Sequence, residues 1–178
     1  LNIDNIIKGC IKYHAGAQGE LYRMYKDMLF VLCLKYCRNE AEAEDNLHNA
    51  FIEIFTTIGK YKGLGSFEGW MKRITINKAI DSYKKSSQMV PVKDDYAGET
   101  EVTDAEMDLP LDYILSLVQQ LPDKYRLVFS LYELDDYSHK EIAEMLDISE
   151  STSKSNLHRA KAILKEKITT SSRTLTIM

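Results

Sequence analysis

Apolar residues recur every three to four positions along most of this chain, and the period-two alternation of half-buried strands is scarce, so the pattern predicts an all-α protein. Four helices are expected first, over about 3–13, 19–38, 40–58 and 66–85. The third has Leu47, Ala50, Phe51, Ile54, Phe55 and Ile58 on one face, with Glu40, Glu42, Glu44, Asp45, His48 and Asn49 opposite. Its carboxylates fall near the helix start, where they complement the macrodipole. In the fourth, Phe67, Trp70, Met71, Ile74 and Ile80 form the apolar stripe behind a capping Ser66. Periodicity then lapses over 86–108, a stretch with Pro91 and Gly98, and resumes with helices over about 111–120 and 122–134. The pattern divides the chain into a module 1–87, a linker 88–108, a module 109–168 and a Ser/Thr-rich tail 169–178 expected to fray.

The densest local signals lie in the second module. Ser138 followed by Glu141 is a capping box, and Ile142, Ala143, Met145 and Leu146 place an apolar stripe on one short helix. Asp147 stands where the chain must turn, and Asp tolerates the left-handed conformation better than most residues. Ser149 then caps a second helix, whose Leu157, Ala160 and Leu164 are spaced to pack on the first. The result is a helix-turn-helix. Lys154, Ser155, Asn156, His158, Arg159, Lys161, Lys165 and Lys167 are expected on its outward face, a surface that suits a major groove.

Charge changes the picture where composition does not. The 178 residues, 44% hydrophobic and 28% charged, are ordinary for a soluble protein, and a net charge of -4 argues at first against nucleic acid. The charges are segregated, however. Lys60, Lys62, Lys72, Arg73, Lys78, Lys84 and Lys85 cluster against Glu68 and Asp81, while Asp94, Asp95, Glu99, Glu101, Asp104, Glu106, Asp108 and Asp112 face Lys93 alone. Two basic surfaces thus flank an acidic tether expected to be flexible. No apolar run reaches the roughly 20 residues of a membrane span, so no membrane insertion is expected and a cytoplasmic location is. Cys10, Cys33 and Cys37 read as reduced core residues rather than metal ligands.

Two motif sets give the chain a family resemblance. Ala43-Glu44-Asp45-Asn46-Leu47-His48-Asn49-Ala50-Phe51, then Tyr61-Lys62-Gly63, then Phe67 through Asp81 resemble region 2 of bacterial sigma-70 family RNA polymerase sigma factors of the extracytoplasmic-function (ECF) type. Leu121-Pro122-Asp123-Lys124-Tyr125-Arg126 with the helix-turn-helix resembles their region 4. The resemblance implies a non-enzymatic protein that lends promoter specificity to core polymerase and initiates transcription, with no cofactor and no metal. It implies that region 2 docks through Asp45, His48 and Phe51 on the β′ coiled coil, and that region 4 binds the β flap. It implies that Tyr61, Lys62, Gly63, Leu64, Arg73, Asn77, Lys84 and Lys85 serve -10 recognition and melting, and that Lys154, Ser155, Asn156, His158, Arg159 and Lys161 serve the -35 element. Ser155, Asn156 and Arg159 are the expected base readers, with Lys154 and Lys161 on phosphates. An anti-sigma protein is left open as a further partner.

Extruding a base from the stack costs a few kcal/mol, so its receiving pocket must supply hydrogen bonds and contact surface. The loop 61–65 and Asn77 can offer both. The sequence departs from the family at His48, usually Gln, and at Ser153, usually Val. The latter is expected to remove apolar burial of about 1–2 kcal/mol from the second module. A helix-turn-helix regulator with an N-terminal helical sensing module is the alternative, though it leaves the basic fourth helix unexplained. An enzyme would have to draw on His14, His48, His139, His158 and scattered carboxylates, and the single Asp45/His48 pair falls short of a di-metal bundle.

Overall fold

The computed structural model describes residues 2–89 and 110–175, with side chains placed over 2–87 and 110–170. The described residues contain helices and no strand: α1 Ile3–Ile11, α2 Ala15–Tyr36, α3 Glu40–Thr57, α4 Phe67–Met89, α5 Leu111–Gln119, α6 Asp123–Phe129, α7 His139–Leu146 and α8 Glu150–Leu175. The chain divides into two units, Leu1–Ser82 and Tyr83–Met178.

In the first unit α3 and α4 bury Ala50, Ile54, Met71 and Ile80 of the stripes that periodicity picked out, and α2 adds Leu21 and Leu29 to the same core. Two helix ends differ from expectation. α1 stops early because Tyr13 turns left-handed at φ 56, letting the His14 N–H reach the Gly9 carbonyl. α2 starts at Ala15 because His14 Nδ1 accepts the Ala17 N–H at 3.3 Å, an N-cap outside the usual Ser/Thr/Asp/Asn set.

Asn46 ties this core together. It is buried, and its Nδ2 donates to the Thr75 carbonyl at 3.1 Å and to Cys33 Sγ at 3.4 Å, linking α3 to α4 and α2. Thr75 turns its own hydroxyl back to the Met71 carbonyl. Burial pushes the Cys33 thiol up to about 11, so it stays protonated, and all three cysteines are buried. Asn46→Ala should lower the stability of the first unit by about 1–3 kcal/mol in denaturant melts, since packing and a buried donor's partners are lost together.

In the second unit Leu117, Leu121, Tyr125, Ala160 and Leu164 pack as one cluster flanked by Tyr113, Phe129, Ile163 and Ile168. The helix expected over 122–134 is α-helical only to Phe129. It then widens into a π-turn, Ser130–Leu134, whose extra residue per turn brings both Ser130 and Leu131 into the interior.

In α6, Arg126 is only 3% exposed. Its guanidinium donates to the Leu121 carbonyl at 2.8 Å and the Gln119 carbonyl at 3.3 Å, and it also pairs with Asp123.

Two boundary expectations are corrected. α4 continues through Met89 and takes residues 86–89 of the expected tether, the Ser86 and Ser87 hydroxyls bonding the Tyr83 and Lys84 carbonyls, and the rest, from residue 90, lies outside the described residues. α8 runs past the expected start of the tail, through Leu175, with Thr169 and Thr170 donating to the Lys165 and Glu166 carbonyls, and residues 176–178 lie outside the described residues.

Candidate nucleic-acid and protein interfaces

Three surfaces collect the expected site residues. The first is the outer face of α3. Asn39 caps the helix by accepting the Glu42 N–H at 2.9 Å, and Glu40 and Glu42 fill the first turn. Asp45, His48 and Asn49 follow on the exposed side, with Ile52, 51% exposed, one turn further on. Phe51 is not part of that surface. It is 3% exposed and packs against Tyr22 and Phe55, ring centroids 4.7 and 5.7 Å away. The expectation for Phe51 is therefore corrected: it belongs to the apolar stripe and supports the face from beneath. Ile52 is the apolar group exposed there, and a polar-face pattern gave no signal for it.

The second surface is the loop before α4 with the start of that helix. Gly63 and Gly65 have φ values of 71° and 84°, which an L side chain adopts only under strain. Between them Leu64 is held out at 84% exposure. The Tyr61 hydroxyl donates to the Gly65 carbonyl at 2.8 Å and closes the loop. The Tyr61 ring rests on Phe67 and Trp70, at 5.1 and 5.5 Å. Trp70, itself stacked on Phe67, is half-buried, so it braces the loop rather than lying deep in the core.

Ser66 Oγ accepts the Gly69 N–H at 3.0 Å, as its capping role requires. Beyond it Arg73 and Asn77, one turn apart, are both exposed, as is Lys62 in the loop. Lys72 and Lys78 are engaged by Glu68 and Glu53, at 2.7 and 3.1 Å. Lys84, half-buried, and Lys85, exposed, lie in the last turns of α4.

The third surface is the helix-turn-helix. The capping box is complete: Glu141 N–H donates to Ser138 Oγ at 3.3 Å and Ser138 N–H to Glu141 Oε2 at 2.8 Å. Asp147 takes the left-handed conformation at φ 58, ψ 50, so the Ile148 N–H returns to the Ala143 carbonyl. Ser149 Oγ accepts the Thr152 N–H at 3.0 Å and starts α8.

On α8, Lys154, Ser155 and His158 are exposed. Asn156 is not: at 6% exposure it lies on the inward side with Ser153, Leu157, Ala160 and Leu164. Helical spacing is the reason, because positions 153, 156, 157, 160 and 164 share one face whatever their polarity. Its expected outward placement is thus corrected. Arg159 is half-buried and donates to the Tyr125 hydroxyl at 3.3 Å, while Lys161 Nζ is 2.7 Å from Glu133 Oε1 of the π-turn.

Ser153 is buried as expected, yet its hydroxyl meets His139 Nδ1 at 2.9 Å, so the site holds a paired polar group rather than a bare loss of apolar contact. Burial, then Lys154, push the His139 imidazole below its ordinary 6.5, against a smaller opposing pull from Glu150. Among the described residues no group of three His, Cys, Asp or Glu side chains is placed to hold a metal ion, and no helix is long and apolar enough to cross a membrane.

Comparison with known proteins gives each unit a counterpart. Residues 21–88 match the family described as Sigma-70 region 2, and residues 111–164 match Sigma-70, region 4. The ECF RNA polymerase sigma factor SigW of Bacillus subtilis is 32% identical over 176 residues, covering 91% of this chain and 94% of SigW. SigM of the same organism is 29% identical over 150 residues, covering 82% and 91%. Among solved structures, the sigma factor RpoE from Bartonella quintana in complex with the anti-sigma factor NepR has a TM-score of 0.54 at 16% identity, covering 85% of this chain and 96% of RpoE, a likeness of fold.

Proposed function

Since the chain belongs to the sigma-70 family, as an ECF RNA polymerase sigma factor that directs core polymerase to promoters and initiates transcription, we propose a division of labour among its three surfaces. Residues 1–87 act as region 2 and residues 109–168 as region 4. The α3 face of Asp45, His48 and Ile52 docks on the β′ coiled coil, and the second module engages the β flap. Carboxylates at this face would repel DNA and suit a basic protein partner. The loop of Tyr61, Lys62, Gly63 and Leu64, with Asn77, receives an extruded base of the -10 element. Arg73, Lys84 and Lys85 hold its phosphates.

On α8, Lys154, Ser155 and His158 enter the major groove of the -35 element. Arg159 and Lys161 reach DNA by exchanging their present partners, Tyr125 and Glu133. Asn156 drops out of the reading set. The protein catalyses no reaction itself, works in the cytoplasm where the polymerase is, and takes an anti-sigma protein as a further partner.

One observation carries this reading. A single chain joins a capped helix-turn-helix presenting Lys154, Ser155 and His158 to a separate unit whose closed loop displays Leu64 and whose α4 exposes Arg73 and Asn77. A duplex-binding regulator needs only the former. Run-off transcription of genomic DNA with purified chain and core polymerase should give discrete start sites only when both are present. Binding of the same sites by the chain alone, with equal strength, would favour a regulator instead.

Within that reading, exchanging residues 61–65 for a loop of different side chains should change the preferred -10 base and leave core affinity intact, because the loop carries no helix packing beyond Tyr61. Identical promoter profiles before and after exchange would move the base pocket elsewhere.

A further inference from the structure

The helix-turn-helix contains a polar tie that the proposed contacts with DNA do not use. His139 is the first residue of α7, and three elements meet at its ring. Its Nδ1 lies 2.9 Å from the hydroxyl of Ser153, a fully buried residue in the first turn of α8. Its face stacks on Tyr132 of the π-turn, centroids 4.4 Å apart and planes within 18°. Lys154 and Glu150 of α8 are the charged groups acting on it, and Tyr132 is the titratable group on the π-turn side.

We propose that His139 is a positioning residue for -35 recognition, whose neutral ring fixes the reading end of α8 against α7 and the π-turn, and whose protonation loosens that end. The inference rests on the reading of α8 as the -35 helix.

The direction follows from hydrogen-bond chemistry. We assign the proton to Nε2, the tautomer in which the neutral imidazole accepts the Ser153 O–H at Nδ1. A protonated ring has two N–H groups and no acceptor, so it can only donate, and the buried Ser153 proton loses its partner. The new charge also sits beside Lys154 and at the positive end of α7, both unfavourable. The folded state therefore prefers the neutral ring, in agreement with the lowered pKa. Above the ordinary 6.5 both folded and unfolded chains are neutral here and the tie is complete. As pH falls below 6.5 the unfolded chain takes up the proton first, and the contribution declines until the folded ring is protonated too. Ser153, Lys154 and Ser155 are consecutive, so a shift of this turn moves two groups assigned to the groove.

The test uses holoenzyme reconstituted from the full chain and core polymerase, on a promoter mapped by run-off. Affinity is measured for that promoter and for the same fragment with its -35 element scrambled, at about pH 7.5 and about pH 5.5. The ratio of the two affinities isolates the -35 contribution. For the unaltered protein it should fall about threefold to tenfold between the two pH values. His139→Asn, which offers an amide oxygen near the place of Nδ1 and does not titrate, should hold the ratio constant with pH. His139→Phe, which keeps the stack and loses the bond, should show the low ratio at both.

A parallel fall in the unaltered protein and in His139→Asn would overturn the proposal, and so would an undiminished ratio in His139→Phe. A ratio near one in the unaltered protein at about pH 7.5 would overturn the -35 reading itself, and this inference with it.

Discussion

Asp45→Arg should abolish holoenzyme assembly while leaving the circular dichroism spectrum of the free protein unchanged. Asp45 is exposed in the second turn of α3, so the folded chain loses little when it is replaced. The partner loses more. In the proposed docking, a carboxylate that meets a basic surface becomes a guanidinium, and like charges brought together at an interface cost several kcal/mol. That is a loss of about a thousandfold or more in affinity. Ile52→Ala supplies the companion measurement, since an apolar group standing beside His48 and Asn49 should contribute to the same contact. Normal core affinity for Asp45→Arg, measured by co-migration with polymerase, would remove α3 from the interface.

The largest effect on folding is expected from Arg126→Ala. The guanidinium satisfies the Gln119 and Leu121 carbonyls and pairs with Asp123, and it is almost wholly out of solvent. Removing it strips carbonyls at the α5 to α6 turn of a charge-assisted donor and leaves the Asp123 carboxylate without this partner. The second unit should lose about 3–5 kcal/mol in denaturant melts. Arg126→Lys should fall between the two, because an ammonium keeps the charge but cannot reproduce the planar fork. A melting curve for Arg126→Ala that overlays the unaltered protein would show the turn to be held by packing alone.

These two cases mark what the sequence made legible. The capping box at Ser138 and Glu141, the left-handed Asp147 and the Ser149 cap are signals contained within a few residues, and each formed as read. The family's two regions were legible for the same reason, as contiguous motifs. Asn156 is polar yet faces inward, because a residue three after Ser153 and four before Ala160 shares their face of the α-helix. Phe51 is likewise buried, as its membership of the apolar stripe implies.

Other features had no local signature. The π-turn at Ser130–Leu134 and the carbonyl partners of Arg126 follow no side-chain periodicity, and the meeting of His139 with Ser153 depends on how two helices approach. The inward hydroxyl of Ser153 illustrates the limit. Judged alone it looked like a lost methyl contact, whereas the fold supplies a ring fourteen positions earlier to receive it.

The bond from Tyr61 to the Gly65 carbonyl has a thermodynamic consequence for DNA binding. Immobilising a flexible backbone costs about 1–2 kcal/mol of entropy per residue. Because the loop is already closed by this bond and by the rings of Phe67 and Trp70, that loss falls on folding rather than on the encounter with a promoter. In the -10 role proposed for this loop, a base swinging out of the duplex would meet a preorganised receptor, and the free energy of capture would report the match between base and pocket instead of being consumed in ordering the chain.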